Sequence, residues 1–142
     1  MTYILETIVT PEQRAEVARL ALASPFTAGP AVVKEWLVDR ERGLYFINLG
    51  GGSLEMPYFL VLADRTGVLL MAEGERHTTG PVVPRGLEES WEIKGISIPR
   101  SFANRNGEIL AMFREALQAY GSLGDPDRAR SVNVRLGSAK LV

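Results

Sequence analysis

The chain has 142 residues, no cysteine, and 16 lysines and arginines against 17 aspartates and glutamates, a formal charge of −1. That balance excludes a disulfide framework and a thiolate metal site, and it withholds the net positive charge from which a general polyanion binder draws affinity, so no nucleic-acid partner is expected. No stretch reaches the roughly 18 apolar residues that cross a bilayer, and the length suits a single domain, residues 1–142, able to bury its own core.

Met1 to Glu6 has neither the basic leader nor the cleavage site of a signal peptide, so the expected location is the cytoplasm, with no membrane partner. Tyr3 to Val9 carries β-branched and aromatic residues and reads as a short strand or an extended lead-in. Thr10-Pro11-Glu12-Gln13 predicts a helix start: Thr10 as N-cap, Pro11 where a missing N–H costs nothing, and Gln13 completing a capping box. The helix is expected to run to about Ala23, with Val17, Leu20, Ala21 and Ser24 on one face and Glu12, Glu16 and Arg19 in water. Ser24-Pro25 ends it, because the residue before proline disfavours helical ψ. Pro25 to Pro30 reads as a loop.

From Val32 to Ala72 the sequence predicts four strands in succession, around Trp36–Val38, Leu44–Leu49, Tyr58–Ala63 and Val68–Ala72. The connections Asp39-Arg40-Glu41-Arg42-Gly43 and Asp64-Arg65-Thr66-Gly67 each begin with Asp and end with Gly, the pattern of a tight hairpin whose last residue is left-handed. The strands alternate poorly because both faces are apolar, which implies cover on each side. Gly50-Gly51-Gly52-Ser53 separates the two hairpins. It lacks the lysine of a phosphate loop, and Glu55 stands where the last glycine of a dinucleotide fingerprint belongs.

Between Glu73 and Ser90 the apolar pattern dissolves, and Gly74, Gly80, Pro81, Pro84 and Gly86 predict a long loop. Trp91 to Ile98 reads as a strand with a bulge at Gly95. A second helix is expected to begin between Ser101 and Asn106 and to end at Gly121 as its C′ residue, with Ile109, Leu110, Phe113, Ala116, Leu117 and Tyr120 forming its stripe. Gly124 to Arg130 is a polar linker, and Val132, Val134 and Leu136 alternate as a last, half-exposed strand. The expected fold is α+β: an antiparallel meander sheet of five to six strands with helices at about 11–23 and 104–120 packed on it.

Reactive groups are few. His77 is the single histidine, the residue type on which acid–base chemistry at neutral pH leans. It stands near Glu73, Glu75, Thr78 and Thr79, a spacing that demands no catalytic set. With one His and no Cys, only hard-ion, carboxylate-rich coordination remains, and no Asp-x-Asp-x-Asp spacing supports it. Glu88, Glu89 and Glu92 could be paired carboxylates of the glycosidase kind, but adjacent strand residues point to opposite faces and read instead as solvent-facing charges. The expectation is therefore no catalytic residue, no metal ligand and no cofactor.

Charge is uneven. Glu73 to Glu92 holds five carboxylates against Arg76 and Arg85, whereas Pro126 to Val142 holds Arg128, Arg130, Arg135 and Lys140 against Asp127. Either the two segments are neighbours that cancel, or the acidic one meets a basic protein. In size, composition and expected architecture the whole chain resembles the immunity proteins of bacterial toxin systems. That resemblance implies a cytoplasmic inhibitor that occludes the active site of a cognate toxin, such as an effector of type VI secretion. The partner-binding residues expected on this reading are Glu73, Glu75, His77, Glu88, Glu89 and Trp91. Two other classes stay open: a small-molecule module with residues 73–90 as a lid over a cavity lined by Tyr45, Phe59, Trp91 or Phe113, and an enzyme using His77.

Overall fold

A computed structural model describes residues 3–21, 33–49, 58–79, 88–122 and 131–142. The elements in chain order are β1 (Ile4–Thr7), α1 (Pro11–Ala21), β2 (Glu35–Asp39), β3 (Leu44–Asn48), β4 (Tyr58–Asp64), β5 (Gly67–Thr79), β6 (Glu88–Ile98), a 3-10 turn (Arg100–Arg105), α2 (Asn106–Ser122), β7 (Val132–Leu136) and β8 (Ala139–Leu141). They make one eight-stranded sheet in the order β1-β2-β3-β4-β5-β6-β7, with β8 also paired to β6. The α+β class stands, and the sheet is wider than the five to six strands expected.

Local chemistry explains the connections. Thr10 Oγ1 accepts from the Gln13 backbone N–H at 3.1 Å, and Gln13 Oε1 accepts from the Thr10 N–H at 2.8 Å, so the capping box opens α1 as its residues imply. Asp39 Oδ1 accepts from the Arg42 N–H in the β2–β3 turn. Asp64 Oδ1 accepts from the Thr66 and Gly67 N–H groups in the β4–β5 turn. Gly43 closes the first turn at φ 64°, a left-handed conformation that glycine adopts without a Cβ clash.

The sheet has two differently dressed faces. On the inner face Leu37, Phe46, Leu60, Leu62, Leu70, Trp91 and Ile93 pack against Ile109, Phe113, Ala116 and Leu117 of α2. On the outer face Trp36, Val38, Ile47, Val61 and Ala63 pack with Ile8, Val33 and Val17 of α1. Cover on both sides is what the poor alternation of β2–β4 requires. Two bulges interrupt the long ladders: Leu69 is an extra residue opposite β4, and Lys94 an extra residue opposite β5. The second lies one position before the predicted Gly95.

Three expectations are corrected. The last strands are parallel, not antiparallel: β7 pairs with Glu89–Ile93 and β8 with Ile96–Ile98, because α2 carries the chain back across the sheet before β7 begins. Gly121 is not a residue beyond the helix but lies inside α2 and is buried. A Cβ there would sit 2.1 Å from Glu89 Oε2 and 3.0 Å from Val132 Cγ1, so close approach of helix and sheet is what requires glycine. The long 73–90 loop is mostly strand, since β5 runs to Thr79 and β6 starts at Glu88. The expected helix end at Ser24-Pro25, the loop to Pro30, the Gly50–Ser53 break and the 124–130 linker lie outside the described residues.

Candidate functional site

β5 and β6 form the longest ladder in the sheet, from Met71↔Ser97 to Thr79↔Glu88. Because side chains alternate along a strand, Glu73, Glu75 and His77 leave β5 on the outer face, and Gly74 and Arg76 on the inner one. On β6, Glu92 stands opposite Glu75 on the outer face, while Trp91 stands opposite Arg76 on the inner one. Parallel pairing with β7 then sets Arg135 beside Glu92 and Asn133 beside Ser90, so that the outer face here is a polar plateau three strands wide. The apolar cluster packed with α1 lies over β2–β4 and does not include these residues.

The centre of the plateau is a close group. His77 Nε2 lies 3.2 Å from Glu75 Oε2 and 4.0 Å from Glu92 Oε2, and Lys94 Nζ lies 3.8 Å from Glu75 Oε1. The side chains of Glu75, His77 and Glu92 are each about half exposed, at 48, 50 and 47 %. They are mixed charges on a fixed ladder, positioned by register rather than by burial.

Directly beneath, on the inner face, the environment reverses. Glu89 is 1 % exposed, its Oε1 accepting from Arg76 Nε in a close ion pair. The Arg76 guanidinium also lies over the ring of Trp91, 5.6 Å from its centroid. Trp91, fully buried, meets Tyr58 at 5.3 Å and Tyr120 at 5.9 Å between ring centroids. Burial disfavours the Arg76 charge, but the charge and hydrogen bond of Glu89, with a contribution from Tyr58, outweigh it and raise the guanidinium above its ordinary value. Glu89 Oε2 and Trp91 Nε1 are buried without a hydrogen-bond partner among the described residues. Oε2 faces Gly121 in the last turn of α2, where the helix dipole is negative, so among the described residues it is Arg76 that compensates the carboxylate.

The sequence-derived residues therefore divide. Glu73, Glu75 and His77 share the exposed outer face. Glu89 and Trp91 lie in the interior and offer no surface; Glu89 is not a solvent-facing charge, because strand alternation places it on the inner face with Trp91, where Arg76 pairs with it. Glu88 pairs with Thr79 through its backbone, and its side chain lies outside the described residues. Glu92 and Lys94 were missed as members of the outer group, although the alternation of Trp91-Glu92-Ile93 already places Glu92 opposite to Trp91. The cavity lining does not converge either: Tyr45 and Phe59 belong to the outer face, Trp91 and Phe113 to the inner. Among the described residues no helix is long and apolar enough to cross a membrane. No protein-family model, curated protein or solved structure matches this chain.

Proposed function

We propose that this protein is an inhibitor that binds and neutralises a cognate bacterial toxin, an immunity protein acting by occlusion of the toxin's active site, with a type VI secretion effector as one such target. The observation that carries the reading is the plateau over β5–β6. Glu73, Glu75, His77 and Glu92 project from one ladder whose underside buries Trp91 and Glu89, the latter paired with Arg76. A surface held this way loses little conformational freedom on binding, and its carboxylates complement a basic surface and accelerate encounter with it. The location that goes with this role is the cytoplasm of the producing cell.

The test is a pull-down from the native host, with the stoichiometric partner identified and its toxicity measured in cells lacking this chain. A partner encoded beside it and lethal alone is the expected result. Against that partner, the double reversal Glu75→Lys/Glu92→Lys should weaken affinity at least tenfold and abolish protection while leaving the urea midpoint unchanged. A toxin that binds both forms equally well places the interface elsewhere on the molecule. A chain that captures no stoichiometric partner overturns the inhibitor reading.

One observation favours a second reading, a small-molecule module. The unpartnered Glu89 Oε2 and Trp91 Nε1 beside Tyr58 and Tyr120 are the polar and aromatic groups from which a ligand site is built. A thermal-shift screen separates it from the first, since a ligand bound there protects against unfolding in the absence of any protein partner.

A further inference from the structure

The outer group at the centre of the plateau has the geometry of a coordination set. Glu75 and His77 are two apart on β5 and share a face, and Glu92 is the direct cross-strand partner of Glu75. Opposed residues on an antiparallel ladder have Cβ atoms about 5 Å apart, and diagonal ones remain within reach of long side chains. The register alone thus brings two carboxylates and an imidazole together. One ligand atom from each of the three lies within 4.8 Å of the others.

We propose that Glu75, His77 and Glu92 form a surface site for a divalent first-row transition metal, of which Zn(II) is the best representative. Ligands at about 2.0–2.2 Å from a tetrahedral zinc stand roughly 3.3 Å from one another. The 3.2 Å between His77 Nε2 and Glu75 Oε2 already matches, and the 4.0 Å to Glu92 Oε2 closes with a small side-chain rotation. The set is not one of acids alone, because the imidazole presents Nε2, a ligand atom, to both carboxylates. The Lys94 ammonium is drawn toward the same carboxylate, at 3.8 Å from Glu75 Oε1. One nitrogen and two oxygens suit zinc, cobalt or manganese better than calcium, which takes six to eight oxygens. The half-exposed side chains leave the remaining coordination positions to water or to a group from outside the chain. Lys94 competes with the metal for Glu75 and sets a ceiling on its affinity.

This site requires no toxin, so its failure would leave the inhibitor reading untouched. Since the chain has one histidine and no cysteine, a histidine-dependent metal signal in the untagged full-length protein can come only from His77. Titration with zinc chloride by calorimetry, and with cobalt chloride by visible absorption, should give one ion per chain. His77→Ala, Glu75→Gln and Glu92→Gln should each weaken zinc at least about tenfold, the lower bound for disturbing even an outer-shell partner. Lys94→Gln should tighten it, and Glu12→Gln in α1 should leave it unchanged. Unaltered urea midpoints establish that the variants remain folded. Absence of binding by the wild type below millimolar zinc, or an equal Kd in His77→Ala, overturns the proposal.

Discussion

Replacing Arg76 by Met tests the energetic logic of the inner face. The substitution keeps most of the aliphatic stem but strands Glu89, a carboxylate 1 % exposed whose Oε2 has no hydrogen-bond partner among the described residues and faces the negative end of α2. Removing one member of a buried pair costs about 3–5 kcal/mol. The Arg76 side chain is 28 % exposed, which favours the lower end of that range, about 3 kcal/mol. Loss of the cation–π contact with Trp91 adds up to about 1 kcal/mol. For a chain of this size a total of about 3–4 kcal/mol lowers Tm by about 6–16 °C. The diagnostic is a reversal of sign in a double-mutant cycle read by urea denaturation at pH 7. In the wild-type background Glu89→Gln destabilises, because Arg76 loses its counter-charge. In the Arg76→Met background the same change stabilises, because a neutral amide replaces a stranded charge. If Arg76→Met costs less than about 0.5 kcal/mol, within the range of an ordinary surface substitution, or if the two changes simply add, the pair is not what holds Glu89 inside.

Gly121→Ala should destabilise by about 1–3 kcal/mol through overpacking, against the gain of about 1 kcal/mol that glycine-to-alanine usually brings within a helix; a stabilised variant in denaturant titration would refute the close approach of Glu89 and Val132. Asp39 is buried, which pushes its carboxyl upward, but the side-chain and backbone hydrogen bonds of Arg42 and its charge outweigh this and hold the group below the usual carboxylate range. The unfolded chain then takes up the proton first, so this stabilisation is complete at neutral pH and is lost as pH falls through about 4 and below. Urea midpoints measured from pH 7 to pH 3 should fall, and should fall less in Asp39→Asn. Thr10→Ala should cost about 1 kcal/mol by removing the cap of α1, seen as a lower midpoint with unchanged slope.

Much of the fold was legible because its signals are local. The Asp…Gly hairpin turns, the Thr10–Gln13 capping box and the α2 stripe are each written in a few consecutive residues. What depends on contacts distant in sequence was not. Alternation at Val132, Val134 and Leu136 is the same for a parallel as for an antiparallel strand, so its direction is set only by where α2 returns the chain. β8 is three residues long and is set off from β7 by Gly137 and Ser138, too short to carry a pattern. The far half of β5 shows no apolar alternation in the sequence, because its inward positions are Gly74 and Arg76, and Arg76 is accommodated there by Glu89 on the next strand. At the outer site, Glu75 and His77 could be named from their two-residue spacing, whereas Glu92 joins them through cross-strand register, which one sequence does not display.

The mixed pairing of β6 also gives its two edges different costs of closure. Its bonds to β5 close within a hairpin, while its bonds to β7 and β8 join residues separated by the whole of α2. Contacts of the second kind cost more chain entropy before they return any stabilisation. Closing the β6–β7 and β6–β8 pairings therefore costs more chain entropy than closing the β5–β6 hairpin, and it needs residues 132–141 to return past α2. In a chain that lacks those strands, the far edge of β6 is a row of unpaired N–H and C=O groups, the kind of edge on which strands mispair.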